Sequence, residues 1–185
     1  DKIRYFVEKK LGQGINLSFL ELFNKFNKKI NIIGSNTDEM KGECFCVQNH
    51  PDMKIIEAIE LSCNLPFIFT KKKYNNINYV DGGFINNYPI NLADNSINYC
   101  LGIGVFGDIQ TGNNNISWVY KLLQLPVMEL YRDRVSRLSN KFTNVELEIN
   151  DISIIEMAPS NKKKINVFSK GYKQCREILL KIQEE

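Results

Sequence analysis

The chain has 185 residues, 43% of them hydrophobic and 24% charged, with a net charge of +3 at neutral pH. That length fits one domain with a sizeable core, and so small a charge excess gives no reason to expect a nucleic-acid partner. No run approaches the roughly 20 apolar residues of a membrane-spanning helix, and the opening DKIRYFVEKK has neither an initiator Met nor the apolar core of a signal peptide.

Residues 2–10 read as a helix. In NLSFLELFNKF, Asn16 or Ser18 is placed to N-cap a second helix, with Phe19, Leu22, Phe23 and Phe26 on one face. KINIIGS and CFCVQ are β runs on either side of the turn NTDEMKGE, a hairpin pattern. HPDMKIIEAIELSCNLP predicts a helix from about Pro51-Asp52, with Ile55, Ile56, Ile59 and Cys63 on one stripe and Pro66 ending it. FIF and NYV read as short strands around the loop TKKKYNNI, and Pro89 opens a short helix. NYCLGIGVF is almost wholly apolar, as in a strand covered on both faces. Residues 116–140 read as a long helix that Pro126 either kinks or divides, followed by strands at VELEI and SIIEMAP. A last helix from about Asn166 puts Phe168, Tyr172, Cys175, Leu179 and Ile182 on one stripe. Strands and helices alternate without repeats or linkers, which predicts one α/β unit or part of one.

Several motifs invite chemistry and fail on context. Cys44, Cys46, Cys63, Cys100 and Cys175 are odd in number and sit in mostly apolar surroundings, which suits reduced thiols in an intracellular protein. Cys44-x-Cys46 with His50 lacks an evident fourth metal ligand. Gly102-x-Gly104-x-x-Gly107 has the spacing of a dinucleotide fingerprint, but the continuation DIQTGNNN cannot promptly open the required helix. No serine has a glycine two places before it, so the chain has no Gly-x-Ser-x-Gly elbow. His50 is the only histidine, and nothing puts Ser62 or Cys63 on a sharp turn beside it.

The segment YVDGGFINNYPINLAD is more informative. Asp81 stands at the C-terminal end of a strand, where α/β folds present their chemistry. Gly82 and Gly83 can take positive φ and admit another chain close to the carboxylate. Asn86 and Asn87 can hydrogen-bond the turn and cap the next element. Asp-Gly is also a common β-turn pair, so the segment by itself leaves a plain turn and a catalytic site as equal readings.

Ala58, Ile59, Ser62 and Pro66, then Asp81-Gly82-Gly83, then Asn87 and Pro89 resemble, in order and spacing, the second half of patatin-like phospholipases. The family pattern there is Ala-Ile-x-x-Ser-x-x-x-Pro, Asp-Gly-Gly/Ala and Asn-x-Pro. Gly42-Glu43 is similar to the family's strand–turn–strand, CLGIGV to its glycine-bearing strand, and FSKGYKQCREIL to its final helix. The resemblance implies an α/β/α sandwich with a mostly parallel central sheet, of which residues 1–185 are the C-terminal portion. It implies lipid acyl hydrolysis by a Ser–Asp dyad, with Asp81 as general base on a turn built by Gly82, Gly83 and Asn87. It implies no metal and no cofactor, and a phospholipid or other acyl lipid met at a membrane surface. The family's serine elbow and glycine-rich oxyanion loop precede this region, so a further N-terminal segment of the same protein is expected to carry them. The helix at 116–141, with Trp118, Leu122 and Leu123 beside Arg132, Arg134, Arg137 and Lys141, is either contact for anionic lipid or amphipathic cover for the sheet. The alternative to an enzyme is a lipid-binding or interaction module that keeps the fold without the nucleophile.

Overall fold

The computed structural model describes residues 5, 16–93, 99–107, 115–139, 141–150 and 159–184. The chain divides into two units, residues 1–87 and 88–185.

In the first unit, Ser18 caps α1 (Phe19–Phe26). Its Oγ accepts from the Glu21 N–H at 3.2 Å, while the Glu21 carboxylate accepts from the Ser18 N–H at 2.6 Å. This reciprocal box satisfies two of the donors that every helix start leaves open. Phe19 is buried, Leu22 and Phe23 are half-buried, and Phe26 is exposed. The expected hairpin forms from β1 (Ile32–Asn36) and β2 (Lys41–Phe45), in register from Ile32 opposite Phe45 to Asn36 opposite Lys41. The second strand stops at Phe45, earlier than CFCVQ suggests, because the N–H groups of Asn49 and His50 fold back onto the Cys46 carbonyl.

Helix α2 (Ile55–Ser62) begins later than Pro51-Asp52. The carbonyls of Pro51 and Met53 accept from the N–H groups of Leu20 and Phe19, so these residues serve the start of α1 instead of a helix of their own. Ile56, Ala58 and Leu61 face inward, and Cys63, expected on that stripe, is exposed. Strand β3 (Lys72–Tyr74) lies in the segment read as a loop, and FIF is a turn in which Phe67 takes φ 66°. Asn75 and Asn76, with φ of 49° and 65°, form the two-residue turn into β4 (Ile77–Asp81). Left-handed conformation at both central positions matches the twist of a tight hairpin, and asparagine tolerates it better than most residues.

The sheet order is β2-β1-β4-β3, and every pairing in it is antiparallel. Two of its neighbour pairs are direct hairpins, which cannot be parallel because a parallel pair needs a crossover. Phe19, Phe45, Met53, Ala58, Leu61 and Tyr79 form the core of this unit. A short helix α3 (Gly83–Asn86) follows β4.

The second unit opens with the 3-10 turn Pro89–Leu92. Strands β5 (Cys100–Phe106) and β6 (Phe142–Glu148) run parallel, and the helices are α4 (Asn115–Ser136), with Pro126 inside it, and α5 (Asn161–Glu184). The α/β class therefore holds, but the expectation of a mostly parallel sheet is corrected: among the described residues the parallel pairing is confined to β5 and β6. Gly102 and Gly104 point to one face of β5 and make room for aromatic rings. A Cβ on Gly102 would stand 1.7 Å from the Tyr88 hydroxyl, and one on Gly104 would stand 2.7 Å from the Phe106 ring and 3.2 Å from the Tyr131 hydroxyl. Tyr88 donates to Asn144 Oδ1 at 2.5 Å and Tyr131 to Glu146 Oε1 at 2.7 Å. The other face of β5 is open, with Leu101, Ile103 and Val105 exposed, so this strand is not covered on both sides as its composition suggests. Of the expected helix at 2–10 only Tyr5 is described, as helical, and the strand SIIEMAP falls outside the described residues except for Pro159.

Candidate active site

Asp81 is the last residue of β4, and α3 begins two residues later. Its main chain is fixed from two sides. The C-terminal end of α2 supplies the Ser62 carbonyl, accepting from Gly82 N–H at 3.2 Å, and the Asn64 carbonyl, accepting from Asp81 N–H at 3.0 Å. The buried Asn64 side chain also donates to the Tyr79 carbonyl at 2.9 Å, so one residue holds the strand on either side of position 80. From β1, the buried Ser35 hydroxyl donates to the Asp81 carbonyl at 2.8 Å. These contacts account for the spacing between the Ser62 segment and Asp81: the helix end is the bracket on which the strand end sits.

The two glycines do not act through positive φ. Gly82 has φ −64° and ψ −22°, ordinary right-handed backbone, which corrects that expectation. Space is the reason instead: a Cβ on Gly82 would lie 2.0 Å from the Ile33 carbonyl oxygen and 2.5 Å from its carbon. At Gly83 a Cβ would meet Asp81 Oδ1 at 2.9 Å and nothing else closer than Asn87 Cβ at 3.8 Å. Asn87 is the C-cap residue of α3 and thus adjoins the same turn.

The Asp81 carboxylate is half-buried, and Oδ1 accepts from the Gly83 N–H at 2.7 Å. Burial pushes its pKa above the ordinary carboxylate range, and the Gly83 bond opposes this only in part. Such a carboxylate is a better proton acceptor than a solvated one while remaining anchored for transfer. The Cys63 residue is exposed, but desolvation of its thiol and, second, the Asp81 charge raise its pKa. It therefore stays protonated near neutrality and is a poor nucleophile.

A second polar cluster joins Glu43 of the Gly42-Glu43 pair and His50 to residues that no sequence motif linked with them. Glu43 Oε2 accepts from the Tyr79 hydroxyl at 2.7 Å and from Asn36 Nδ2 at 3.4 Å, and Glu43 Oε1 lies 2.9 Å from His50 Nε2. Burial, with Glu43 beside it, raises the Tyr79 hydroxyl pKa. The single histidine is thus engaged by Glu43 and braces the strand that carries Asp81. Only the β1–β2 and β1–β4 registers bring these four residues together, and no local motif announces them. Among the described residues no three His, Cys, Asp or Glu side chains gather as a metal-ligand set. The Cys44 thiol is pushed up to about 12 by burial and by Cys46 beside it, unlike a metal-binding thiolate.

Comparison with known proteins bears on the same segment. The model of the family described as patatin-like phospholipase matches residues 5–94. A probable lipid hydrolase of Invertebrate iridescent virus 6 is 28% identical over 166 residues, covering 88% of this chain and 52% of that protein. An uncharacterized protein of Acanthamoeba polyphaga mimivirus is 26% identical over 175 residues, covering 86% of this chain and 57% of the relative. The chain thus spans about half the length of the curated relatives it matches. The crystal structure of VipD from Legionella pneumophila superposes with a TM-score of 0.59 at 14% identity, covering 88% of this chain and 35% of that one, a likeness of fold alone. The ordered motif around Asp81 thus lies within the segment that matches the patatin-like phospholipase model, and the similarity to a viral probable lipid hydrolase points the same way.

Proposed function

We propose that the chain furnishes Asp81 as the general base of a Ser–Asp dyad that hydrolyses acyl esters of phospholipids or related lipids. The serine, on a Gly-x-Ser-x-Gly elbow, and the oxyanion loop belong to an N-terminal segment of the same protein. Relatives about twice as long as the matched region are consistent with such a segment.

The observation that carries this reading is the state of Asp81: half-buried, raised in pKa, and held at its strand end by both α2 and β1. In the reaction, the serine oxygen bonds to the acyl carbon as its proton passes to the Asp81 carboxylate. Collapse of the tetrahedral intermediate breaks the ester C–O bond, and the proton returns from Asp81 to the departing alcohol. Water, deprotonated by the same carboxylate, then releases the fatty acid. Burial adds basicity that aspartate otherwise lacks, and the fixed backbone adds orientation.

The test is Asp81→Asn in the complete encoded protein, assayed on a fluorogenic phospholipid. Loss of hydrolysis with the fold intact is expected, and retained turnover overturns the assignment of the base.

A further inference from the structure

Helix α5 uses only one of its faces against β6. Val167, Gly171, Gln174, Cys175 and Ile178 are half-buried at helical spacing. Gln174 fastens the helix to the strand, its Nε2 donating to the Glu148 carbonyl at 2.9 Å and its Oε1 accepting from the Glu148 N–H at 2.8 Å. Of the stripe expected to face inward, Cys175 is among these, while Phe168, Tyr172, Leu179 and Ile182 are exposed and lie roughly a quarter turn away. Ile165, Phe168 and Tyr172 are 67%, 74% and 62% exposed, and Leu179 continues their line. Solvent is a poor partner for such a row.

The charge on the helix indicates what meets it. Asn161–Glu184 carries six lysines and Arg176 against only Glu177 and Glu184. On the helical wheel Lys164 borders the apolar row on one side, and Lys162, Lys173 and Arg176 border it on the other. A second copy of the chain would bring two helices of the same sign together, which is unfavourable. An anionic bilayer satisfies both features, with aromatic and aliphatic side chains entering the headgroup–acyl boundary and the cations meeting lipid phosphates. Helix α4 also exposes Trp118, Leu122 and Leu125, but its Arg132 is engaged by Glu129, and Asp133 holds the neighbouring Arg137.

We propose that α5 is a membrane-surface helix that docks the protein onto anionic lipid through the Ile165–Phe168–Tyr172 row. This does not depend on the catalytic reading, because binding is measured without turnover. The experiment is cosedimentation with vesicles of phosphatidylcholine alone and of an equal mixture with phosphatidylserine, at low and high salt. Binding to the mixed vesicles only, weakened by salt, is expected. It should fall at least roughly tenfold in Phe168→Gln/Tyr172→Gln, and roughly fivefold for each charge removed in Lys173→Gln/Arg176→Gln. All four side chains are largely outside the core, so circular dichroism should be unchanged. Absence of binding, equal binding to neutral vesicles, or native binding by the aromatic variant overturns the proposal. So does a concentration-dependent dimer that the aromatic variant abolishes, which would make this row an interface between copies.

Discussion

Replacing Gly82 by alanine should unseat β4 from β1. The added Cβ would stand 2.0 Å from the Ile33 carbonyl oxygen, about 1 Å inside the closest approach real Cβ atoms show. The obstacle is backbone in the strand whose Gly34 pairs with Asp81, so no side-chain rotation relieves it. Overpacking costs about 1–3 kcal/mol, and a clash with paired backbone belongs at the top of that range. Against a total stability of about 5–15 kcal/mol this is a large fraction. With a urea slope of about 2 kcal/mol/M, the midpoint should fall by about 1.5 M. Gly83→Ala is the internal control. Its Cβ closely approaches only the Asp81 Oδ1, a side-chain tip that can shift where backbone cannot, and alanine favours the start of α3, so the midpoint should stay within about 0.5 M of native. Urea unfolding followed by far-UV circular dichroism decides the matter. Equal midpoints for the two variants, or a Gly82→Ala chain within about 0.5 kcal/mol of native, would refute the steric account.

The same contacts set four other expectations. Asp81→Asn should lower hydrolysis by the complete protein about 10²–10⁴-fold, the usual worth of a general base. It should also melt no lower than native at pH 7. The folded carboxyl has a raised pKa, so its contribution is favourable below the unfolded value near 4 and lost as pH rises through the folded value. Asparagine removes that loss, and any advantage in melting temperature should close when the pH is brought below about 4. Native activity should fall on acidification as Asp81 takes up its proton, a limb that a pH–rate profile would locate. Asn64→Ala removes the side-chain donor to the Tyr79 carbonyl and should cost about 1–3 kcal/mol in denaturant. Ser18→Ala breaks the cap of α1 and should cost about 1 kcal/mol, read from the thermal midpoint.

Local chemistry is the part of this structure that the sequence makes legible. Ser18 and Glu21 announce a helix start by type and spacing, and Asp81 at a strand end stands where its neighbours predict. The β3–β4 hairpin is hidden because Asn75-Asn76 lies in a chain rich in asparagine, where a turn signal loses contrast. FIF has β propensity, but its backbone is taken up by turns following α2. The glycines at the end of β4 are special for a reason other than conformational freedom. Gly82 has an ordinary conformation, and what is unusual is the atom that stands where a side chain would go. The Glu43–His50–Tyr79–Asn36 cluster depends on strand register, which no single segment encodes. In α5 the apolar spacing is correct and its direction is not, because periodicity cannot say which of two apolar faces meets the sheet.

The bracket that Asn64 forms around the end of β4 has a dynamic consequence. The Asp81 amide is tied to Asn64, its carbonyl to Ser35, the Gly82 amide to Ser62 and the Gly83 amide to the carboxylate itself. The Asp81 and Gly82 amides cannot open alone, because freeing either requires the end of α2 to leave the strand. The amides of Asp81 and Gly82 should therefore exchange with solvent as slowly as the core of the first unit, through cooperative unfolding and not through loop fluctuation. In the role proposed for Asp81, a main chain held this way would leave the carboxylate little positional freedom to lose when a substrate arrives.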